Sequence, residues 1–399
     1  MAEDPRPEFD PRWPVCERCR GVRVDPHPTC VAHLANLPEF APGDELDLRG
    51  VEVGSALLAA ILGKYRDHAK KRFVFGRVRC DHTWFSGKAW FDKALFTSTA
   101  TFDNAHFSGP ARFDGATAEG KMSFVEARFA GRTLMNEVST PVLDLERAWF
   151  ANAVEIEAEG DPLNCVNTRF DGGVVLSWAV EVDAHGAYFG APSMFIDTEV
   201  TSLAGSDVSN LVLIDVDLTE CKFVGTHRLE QLRIEGNAQF DQPGRWRARR
   251  RMLADEQLED PARVAGLYRS LRKSFEDSKN EAGAGDFYYG EMEARRHSEE
   301  SSLAERAILS VYWLISGYGQ RAWRSLAALV AVIAVVTTVL VNTGQDFGLA
   351  ARIALGTALS KDPAADLTAT GEWTVLVARF LGPVLLALAL LAIRARVKR

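Results

Sequence analysis

Residues 85–115 read FSGKAWFDKALFTSTATFDNAHFSGPARFDG, and in this stretch a Phe recurs every five or six positions, usually with an Ala two places before it. A helix repeats its buried face every 3.6 residues and a strand every two, so neither element produces this period. A period near 5.5 predicts a chain that turns a corner between successive buried residues. The stretch therefore predicts a solenoid built from short straight segments.

The same period extends in both directions from this stretch. It runs from about Phe73 to Phe240 and becomes looser after Leu134, where units such as Ala148-Trp-Phe150 and Cys221-Lys-Phe223 continue it. Alternating steps of five and six residues predict that two faces of the solenoid take about eleven residues.

These units resemble the pentapeptide-repeat family, in its Phe-rich variant with extra residues. The resemblance implies a right-handed quadrilateral β-helix in which the Phe or Leu, and the small residue two places earlier, point into the column. Cys221 holds one such small-residue position. Four faces give about 20 to 22 residues per coil, so residues 73–240 are expected to form roughly seven or eight coils. The fold class is then mainly β with α, and the Phe residues form the core instead of a base-stacking surface.

Residues 1–40 contain four potential metal ligands in two short pairs. Cys16 and Cys19 form a Cys-x-x-Cys, and Cys30 and His33 form a Cys-x-x-His further along. Thiolates and imidazoles on two-residue spacers suit a tetrahedral zinc ion, because each short loop lets both side chains reach one ion. We therefore predict a structural zinc site in this N-terminal segment, with His27 as the alternative fourth ligand. Reduced thiols without a metal are the competing interpretation.

Residues 41–72 are expected to cap the open end of the solenoid. They contain one strand-like segment, LDLRGV, followed by a short amphipathic helix at about 56–65. Exposed strand edges at the end of a solenoid invite pairing with other chains, and a covering helix prevents it.

Residues 241–300 change abruptly in composition, first to Arg and then to a helical pattern. Asp260-Pro261 is a helix-start signal, and the apolar residues 264, 268, 271 and 275 fall on one helical face. A break expected at 281–285 separates this helix from a second one, which predicts an antiparallel helical hairpin. The segment resembles the hairpin that precedes a two-helix membrane domain in many bacterial pentapeptide-repeat membrane proteins.

The Arg-rich start of this segment is a candidate for binding anionic lipid. A basic cluster near a charged leaflet contributes about 1 kcal/mol per residue. A solvated helix face is the simpler interpretation. The candidates are Arg245, Arg247, Arg249, Arg250 and Arg251.

Two long apolar segments in residues 301–399 predict two transmembrane helices. Residues 325–341 contain no charge, and residues 373–393 contain only Arg379. Their lengths are suited to a hydrocarbon core about 30 Å thick. The lipid bilayer is therefore an expected partner of the chain.

The charges around the two segments predict their orientation. Lys and Arg are frequent outside the pair and sparse in the connecting loop. They are Arg321 and Arg324 before the first segment, Arg394, Arg396, Lys398 and Arg399 after the second, and Arg352 and Lys361 between them. By the positive-inside rule, both termini and the solenoid are expected in the cytoplasm of a bacterium, below a multi-pass inner-membrane anchor.

A capping box, Ser302-Leu-Ala-Glu305, opens an apolar helix that precedes the first span. This helix is expected either to lie along the inner membrane interface or to pack on the hairpin.

The loop between the spans resembles part of a potassium-channel-type pore module. Residues 347–372 contain a short apolar half-helix and a Thr-rich turn with Thr368, Thr370 and Gly371. The Thr-Val-Gly-Tyr-Gly filter of that family is missing, so potassium selectivity is not expected and a nonselective or anion-tolerant pore is the version left open.

Three further residues of the second span bear on the pore version. Gly382-Pro383 would provide a hinge or a simple kink in the helix, and Arg379 is an intramembrane charge that either serves a pore or snorkels to the interface.

Motifs for catalysis are missing from the sequence. There is no GxGxxG after a strand, P-loop, GxSxG or HExxH. The paired carboxylates Glu276-Asp277 and Glu291-x-Glu293 are expected on solvated helix faces, and the His residues of the repeat have no metal-ligand spacing. The formal charge of −8 argues against a nucleic-acid binder. We expect no enzyme and no nucleic-acid partner.

The leading functional hypothesis is a membrane-anchored scaffold whose solenoid binds an unidentified protein. The chain is expected to form a homo-oligomer, and about four copies would be needed to close a pore. The alternative class is a DNA-mimicking protein that binds topoisomerases, as other pentapeptide-repeat proteins do; mixed outer charges such as Arg112, Lys121, Arg128 and Arg132 argue against it. A membrane-associated oxidoreductase is a third class, disfavoured because no cofactor motif appears.

Overall fold

The computed structural model describes residues 10–158, 162–242, 250–358 and 367–397. The chain divides into two compact units, the first ending at residue 242 but including residues 252–257, and the second containing the remaining described residues. The first unit is a parallel β-solenoid of about eight turns. The second unit is helical.

The strands of the solenoid are short and follow one another around the coils. In the first half they are β1 Leu46–Asp47, β2 Glu52–Val53, β3 Arg66–Asp67, β4 Arg72–Phe75, β5 Val78–Arg79, β6 Trp84–Phe85, β7 Ala89–Trp90, β8 Leu95–Phe96, β9 Ala100–Thr101, β10 His106–Phe107, β11 Ala111–Arg112, β12 Thr117–Ala118, β13 Met122–Ser123 and β14 Arg128–Phe129. In the second half they are β15 Thr133–Met135, β16 Leu143–Asp144, β17 Trp149–Phe150, β18 Val154–Glu157, β19 Pro162–Asn164, β20 Arg169–Phe170, β21 Val174–Ser177, β22 Val180–Asp183, β23 Tyr188–Phe189, β24 Ser193–Ile196, β25 Val200–Ser202, β26 Leu211–Ile214 and β27 Arg233–Glu235.

Four sheets form the four faces of the column, as the resemblance implied. The first face has the order β1-β5-β9-β13-β16-β19-β22-β25, the second β2-β6-β10-β14-β17-β20-β23, the third β7-β11-β15-β18-β21-β24-β26-β27 and the fourth β3-β4-β8-β12. All pairs are parallel except β3 with β4. Each coil therefore contributes strands to successive faces and pairs with the coils before and after it.

Phe rings stack in columns inside the solenoid, which confirms their predicted place in the core. On the second face, Phe85, Phe107, Phe129 and Phe150 are partners in register, and their ring centroids lie 4.7, 4.5 and 4.6 Å apart. All four side chains are buried. The rings of adjacent faces meet edge to face, as between Phe107 and Phe113. Both geometries are favourable for aromatic pairs.

Every second corner of the early coils uses left-handed backbone. Seven residues with φ between 54° and 65° recur at steps of eleven, the number predicted for two faces: Lys71, His82, Lys93, Asn104, Gly115, Glu126 and Glu137. Later coils are shorter. The registered core partners Phe107, Phe129, Phe150, Phe170 and Phe189 show this, because each step along the chain is smaller than the step before it. The shorter coils account for the looser period after Leu134.

Both ends of the solenoid carry additional structure. The helix α1, Ser55–Lys64, matches the predicted helix, and its Ser55 hydroxyl accepts a hydrogen bond from the N–H of Lys88, just before β7. At the other end, the buried Asp255 carboxylate accepts the N–H groups of Phe223 and Val224 at 2.9 Å each. Asp255 thus replaces the carbonyl groups that a further strand would have supplied to the last coil.

The remaining helices belong to the second unit, apart from three 3₁₀ turns in the first. The helices are α2 Pro261–Asp277, α3 Glu281–His297, α4 Leu303–Ser316, α5 Ala322–Asn342, α6 Phe347–Ala358 and α7 Ala369–Val397. The 3₁₀ turns are Val31–His33, Leu229–Gln231 and Ala254–Gln257.

Helices α2 and α3 form the predicted hairpin, but its break is not at residues 281–285. The chain turns at 278–280, and Asn280 caps α3 by accepting the N–H of Gly283. The glycines that indicated a loop instead allow close packing: a Cβ at Gly283 would lie 2.3 Å from the Phe275 ring, and one at Gly290 would lie 2.5 Å from the Tyr268 ring. Tertiary packing therefore outweighs the low helix propensity of glycine here.

The expectation that Glu291 and Glu293 lie on a solvated helix face is wrong. The Glu291 side chain is 3% exposed, and its carboxylate pairs with Arg269 at 2.9 Å and Arg272 at 2.8 Å. Glu293 pairs with Arg296 and accepts a hydrogen bond from the Tyr318 hydroxyl at 3.0 Å. A buried carboxylate requires such partners, because leaving it unpaired costs several kcal/mol.

Replacement of a stacked Phe should destabilise the solenoid far more than replacement of its outward neighbour. Phe91 is buried and stacks on Phe113 at 5.3 Å, whereas the adjacent Trp90 is 43% exposed. We expect Phe91→Ala to lower the free energy of unfolding by about 3–5 kcal/mol. Trp90→Ala should cost less than about 1 kcal/mol. Unfolding of the purified chain in detergent, followed by circular dichroism, measures both, and equal losses would contradict the buried-column packing.

Candidate functional site

Three thiols and one imidazole of the N-terminal segment converge on one point. The Sγ atoms of Cys16, Cys19 and Cys30 and the ring nitrogen of His33 all lie within 4.8 Å of one another. The Cys19–Cys30 Sγ distance is 3.6 Å, and His33 Nδ1 lies 3.5 Å from Cys16 Sγ and 3.3 Å from Cys30 Sγ. A tetrahedral ion with bonds of about 2.0–2.3 Å separates its ligand atoms by about 3.5–3.8 Å. The cluster is therefore compatible with a metal site.

The backbone around the cluster already supports thiolates. The N–H of Arg18 lies 3.4 Å from Cys16 Sγ, and the N–H of Gly21 lies 3.3 Å from Cys19 Sγ. A hydrogen bond from the Cys30 thiol lowers the pKa of Cys19 to about 5, while the same contact raises the pKa of Cys30. One thiolate in the cluster is thus favoured at neutral pH even before an ion adds its charge.

His33, and not His27, is the imidazole that lies beside the three thiols. His33 lies in the 3₁₀ turn that follows Cys30, whereas His27 is exposed and is not part of the cluster. The arrangement of side chains therefore favours His33 as the fourth ligand, and the ligand role itself stays a prediction.

The cluster is joined to the first coil of the solenoid. The N–H of Val22 donates to the carbonyl of Arg49 at 2.8 Å, and the Arg49 guanidinium lies over the Trp13 ring at 5.1 Å. A Cβ on Gly21 would lie 2.8 Å from the Val51 side chain. An ion in the cluster would therefore fix the segment that covers this end of the column.

A row of planar side chains on the second face was not found from the sequence. The residues immediately before the buried Phe in β6, β10, β14, β17, β20 and β23 point outward and are partners in register. They form what we call the aromatic–basic row, made of Trp84, His106, Arg128, Trp149, Arg169 and Tyr188. The Trp84 and His106 rings stack at 3.9 Å with an angle of 7°, and Arg169 lies over Tyr188 at 5.1 Å.

The sequence signal for this row is weak but present. Each member precedes a core Phe, and the steps between successive members shorten along the second half of the row. To find these residues from the sequence, one must know the number of residues in every coil. An error of one face would assign a residue to the wrong sheet. For this reason the sequence did not indicate that His106 belongs to a row, or that His82 lies near it.

The basic cluster is only partly described. Arg245, Arg247 and Arg249 lie outside the described residues. Arg250 donates to the Tyr268 hydroxyl at 2.9 Å, and Arg251 lies 5.4 Å over the Phe275 ring. These two guanidinium groups therefore brace the hairpin, which explains their charge without a lipid.

Helices α5 and α7 are long and apolar enough to cross a membrane. They have 21 and 29 residues, which correspond to about 31 and 43 Å of helix, against a hydrocarbon core of about 30 Å. Many of their large apolar side chains are exposed, including Val330, Val335, Phe380 and Val384. Such exposure would be unfavourable in water and is favourable in lipid.

Arg and aromatic residues meet where α4 ends and α5 begins. The Arg324 guanidinium lies 4.6 Å over the Trp313 ring and donates to the Trp313 carbonyl at 2.8 Å. Arg321 lies 4.7 Å over the ring of Tyr289, and Trp323 is exposed beside them. Aromatic residues with cations are typical of the level at which a membrane meets water.

Helix α4 packs on the hairpin with one face and exposes apolar side chains on another, so its place at a membrane interface stays a prediction. The Ser302 hydroxyl accepts the N–H of Glu305, as the capping box predicted. One face packs Leu309 against Tyr289 and Met292 of α3. The other exposes large apolar side chains, namely Leu303, Ile308, Val311 and Leu314.

The residues of the Thr-rich turn lie at the start of a helix and do not form an extended loop. Helix α7 begins at Ala369, so Thr370 and Gly371 lie in its first turn, and the N–H of Gly371 points to the Thr368 hydroxyl at 3.3 Å. The Thr370 carbonyl accepts the hydroxyl of Thr374 at 2.8 Å. The Thr-rich turn therefore differs from the extended filter of the potassium-channel type, whose backbone carbonyls line the ion path.

The predicted half-helix is present as α6, and it packs with α5 and α7. Ala350, Ile353 and Ala354 of α6 contact Val336 and Leu340 of α5, and Val375 and Ala378 of α7 complete the cluster. In α7, Pro383 lies inside the helix after Gly382, and Arg379 is exposed on the surface of this three-helix group.

No protein-family model matches this sequence, and the search of curated proteins finds no match.

Replacement of His33 should weaken metal binding, and replacement of His27 should not. Loss of a hydrogen bond that supports a ligand lowers metal affinity by roughly tenfold or more, and loss of the ligand itself should cost at least as much. Cobalt(II) titration of the purified chain reports this directly, because tetrahedral thiolate coordination gives a strong visible absorption. Equal affinities for His33→Ala and His27→Ala would show that His33 is not a ligand.

Proposed function

We propose that this protein is a membrane-anchored scaffold whose cytoplasmic β-solenoid presents a binding surface. The observation that carries the proposal is the contrast between the two units. The solenoid has charged and polar side chains on its outer faces, whereas α4, α5, α6 and α7 expose large apolar side chains. A column with a filled core binds only through its outside, and an apolar helical group is stable in a bilayer.

The proposed arrangement is a multi-pass protein of a bacterial inner membrane. Helices α5 and α7 would be the two spans, and α6 would lie between them without crossing. The Arg and aromatic residues at the start of α5 favour a cytoplasmic position for that end, because Lys and Arg are retained on that side. The pentapeptide-repeat resemblance supports the same arrangement by analogy only.

We also propose that the Cys16, Cys19, Cys30 and His33 cluster holds a structural zinc ion. A closed set of three thiolates and one imidazole is a common structural zinc site and leaves no ligand position for a substrate. Its contact with the first coil gives it a role, since an ion would tie the N-terminal segment to the exposed end of the column.

Reporter fusions test the orientation. A green fluorescent protein at the C-terminus should fluoresce, because it folds in the cytoplasm, and an alkaline phosphatase at the same position should be inactive. The same pair at the N-terminus should give the same result, since two spans return the chain to its original side. Alkaline extraction should leave the chain in the membrane fraction. Active C-terminal phosphatase, or release by alkali, would refute the proposed anchor.

Metal analysis tests the identity of the ion. The chain purified without added metal should contain about one zinc per molecule, since Cys₃His sites favour that ion. Cys19→Ser should lose the zinc and lower the unfolding temperature of the solenoid. His27→Ala should keep the zinc and leave the unfolding temperature unchanged. Zinc-free protein with unchanged stability would show that the thiols act alone.

A further inference from the structure

A cavity opens along the aromatic–basic row. Its volume is about 630 Å³, within the range of about 300–1,000 Å³ that small-molecule sites occupy. Trp84 and His106 line one side, Trp149 and Arg169 the other, and Arg128 lies between them. The corner residues of the neighbouring turns complete the lining: His82, Asn104, Glu126, Arg147 and Asp171.

Most polar groups of this cavity already have partners. Arg147 pairs with Glu126 at 3.1 Å, and Arg169 pairs with Asp171 at 2.7 Å. The indole N–H of Trp149 donates to the other oxygen of Asp171 at 2.8 Å. Burial raises the pKa of Asp171, but the hydrogen bonds from Arg169 and Trp149 outweigh this effect and hold the pKa below its usual value. On the side formed by Trp149, Arg169 and Asp171, the charges are therefore paired and the side chains are held in place.

Arg128 is different from its neighbours. Among the residues that the structure describes, its exposed guanidinium has no ion pair, hydrogen bond or ring contact, although it lies at the centre of the row. Three Arg and two carboxylates line the cavity, which leaves one positive charge without a counterpart. A planar guanidinium with free donors recognises carboxylate or phosphate in a bidentate way.

The position of Arg128 also leaves room for a flat group. Adjacent strands lie about 4.8 Å apart, so His106 and Trp149, two strands apart, are separated by about 9.6 Å along the column. Trp84 and His106 already cover each other's facing ring surfaces, whereas the Arg128 level has no stacked ring. A flat ring can enter at this level and contact the imidazole or the indole while its anionic group reaches the guanidinium.

We propose that this cavity binds a small organic anion, a flat ring that carries a carboxylate or a phosphate, with Arg128 as its anchor. The inference rests on the proposed function, since it names the ligand class that the solenoid surface would take. A small molecule is favoured over an extended polymer, because the charge without a counterpart is a single Arg and the flanking Arg groups are already paired.

Isothermal titration of the full-length protein in detergent tests the proposal, with phenyl phosphate, benzoate and inorganic phosphate as probes. Phenyl phosphate should bind more tightly than inorganic phosphate by about fivefold, which corresponds to the worth of one ring contact. Arg128→Gln should weaken phenyl phosphate binding by at least about tenfold, because it removes a charged hydrogen bond. Trp149→Leu should weaken it by about fivefold.

Two matched controls isolate the cavity. Arg112 holds the same repeat position as Arg128 on the third face, where it pairs with Asp92 and Asp114, and Trp90 holds the position that corresponds to Trp149. Arg112→Gln and Trp90→Leu should leave binding unchanged.

Three results would overturn the proposal. They are no heat from any probe at millimolar concentration, equal losses in Arg128→Gln and Arg112→Gln, and tighter Arg128-dependent binding of an oligothymidylate than of phenyl phosphate. The last result would assign the row to single-stranded nucleic acid. Because titration in detergent does not depend on topology, failure here is distinguishable from failure of the membrane anchor in the reporter fusions.

Discussion

The stacking of Phe rings along the inside of the column is the interaction on which the solenoid depends. Its strands are mostly two residues long, too short to be stable alone, so each coil needs the coils on either side. From Phe85 to Phe150 the ring centroids lie 4.5–4.7 Å apart, close to the spacing of about 4.8 Å between strands, and the column widens to 5.4 and 5.7 Å at Phe170 and Phe189. The stacked rings and the paired strands therefore have nearly the same repeat distance, so the position of one coil fixes the register of the next. At the ends this support is lost, and there the chain places the Cys and His cluster, α1 and Asp255.

The fold was predictable because its determinants are local and repeated. The Phe period specifies the number of residues per face, and the corners obey it with left-handed residues every eleven positions. The helical hairpin was predictable in type but not in detail. Gly283 and Glu291 indicated a loop and a solvated face, because on average glycine breaks helices and carboxylates prefer water. Their actual roles depend on Phe275 and on Arg269 and Arg272, which belong to the other helix and are specified only by packing.

The same distinction separates the two candidate sites. The cluster of three Cys and one His was predictable because Cys-x-x-Cys and Cys-x-x-His bring side chains together by short spacing, although only the folded chain separates His33 from His27. The aromatic–basic row was not, because its members come from different coils whose lengths decrease along the column. The conformation of the Thr-rich turn was less predictable. Thr370 and Gly371 resemble a known segment locally, but the helix that contains them begins earlier than a filter would allow.

A rigid column determines what its outer side chains can do. When planar groups stand one strand apart, each ring face is covered by the next group, as in Trp84 with His106, and only the edges are presented to a partner. Binding chemistry can then occur only where the stack is interrupted. Arg128 and Arg169 both interrupt the rings of the aromatic–basic row, but Arg169 pairs with Asp171 and lies over Tyr188, whereas the Arg128 guanidinium has no ion pair among the described residues. The proposed recognition is therefore expected at Arg128, the Arg of this row whose charge is not paired among the described residues.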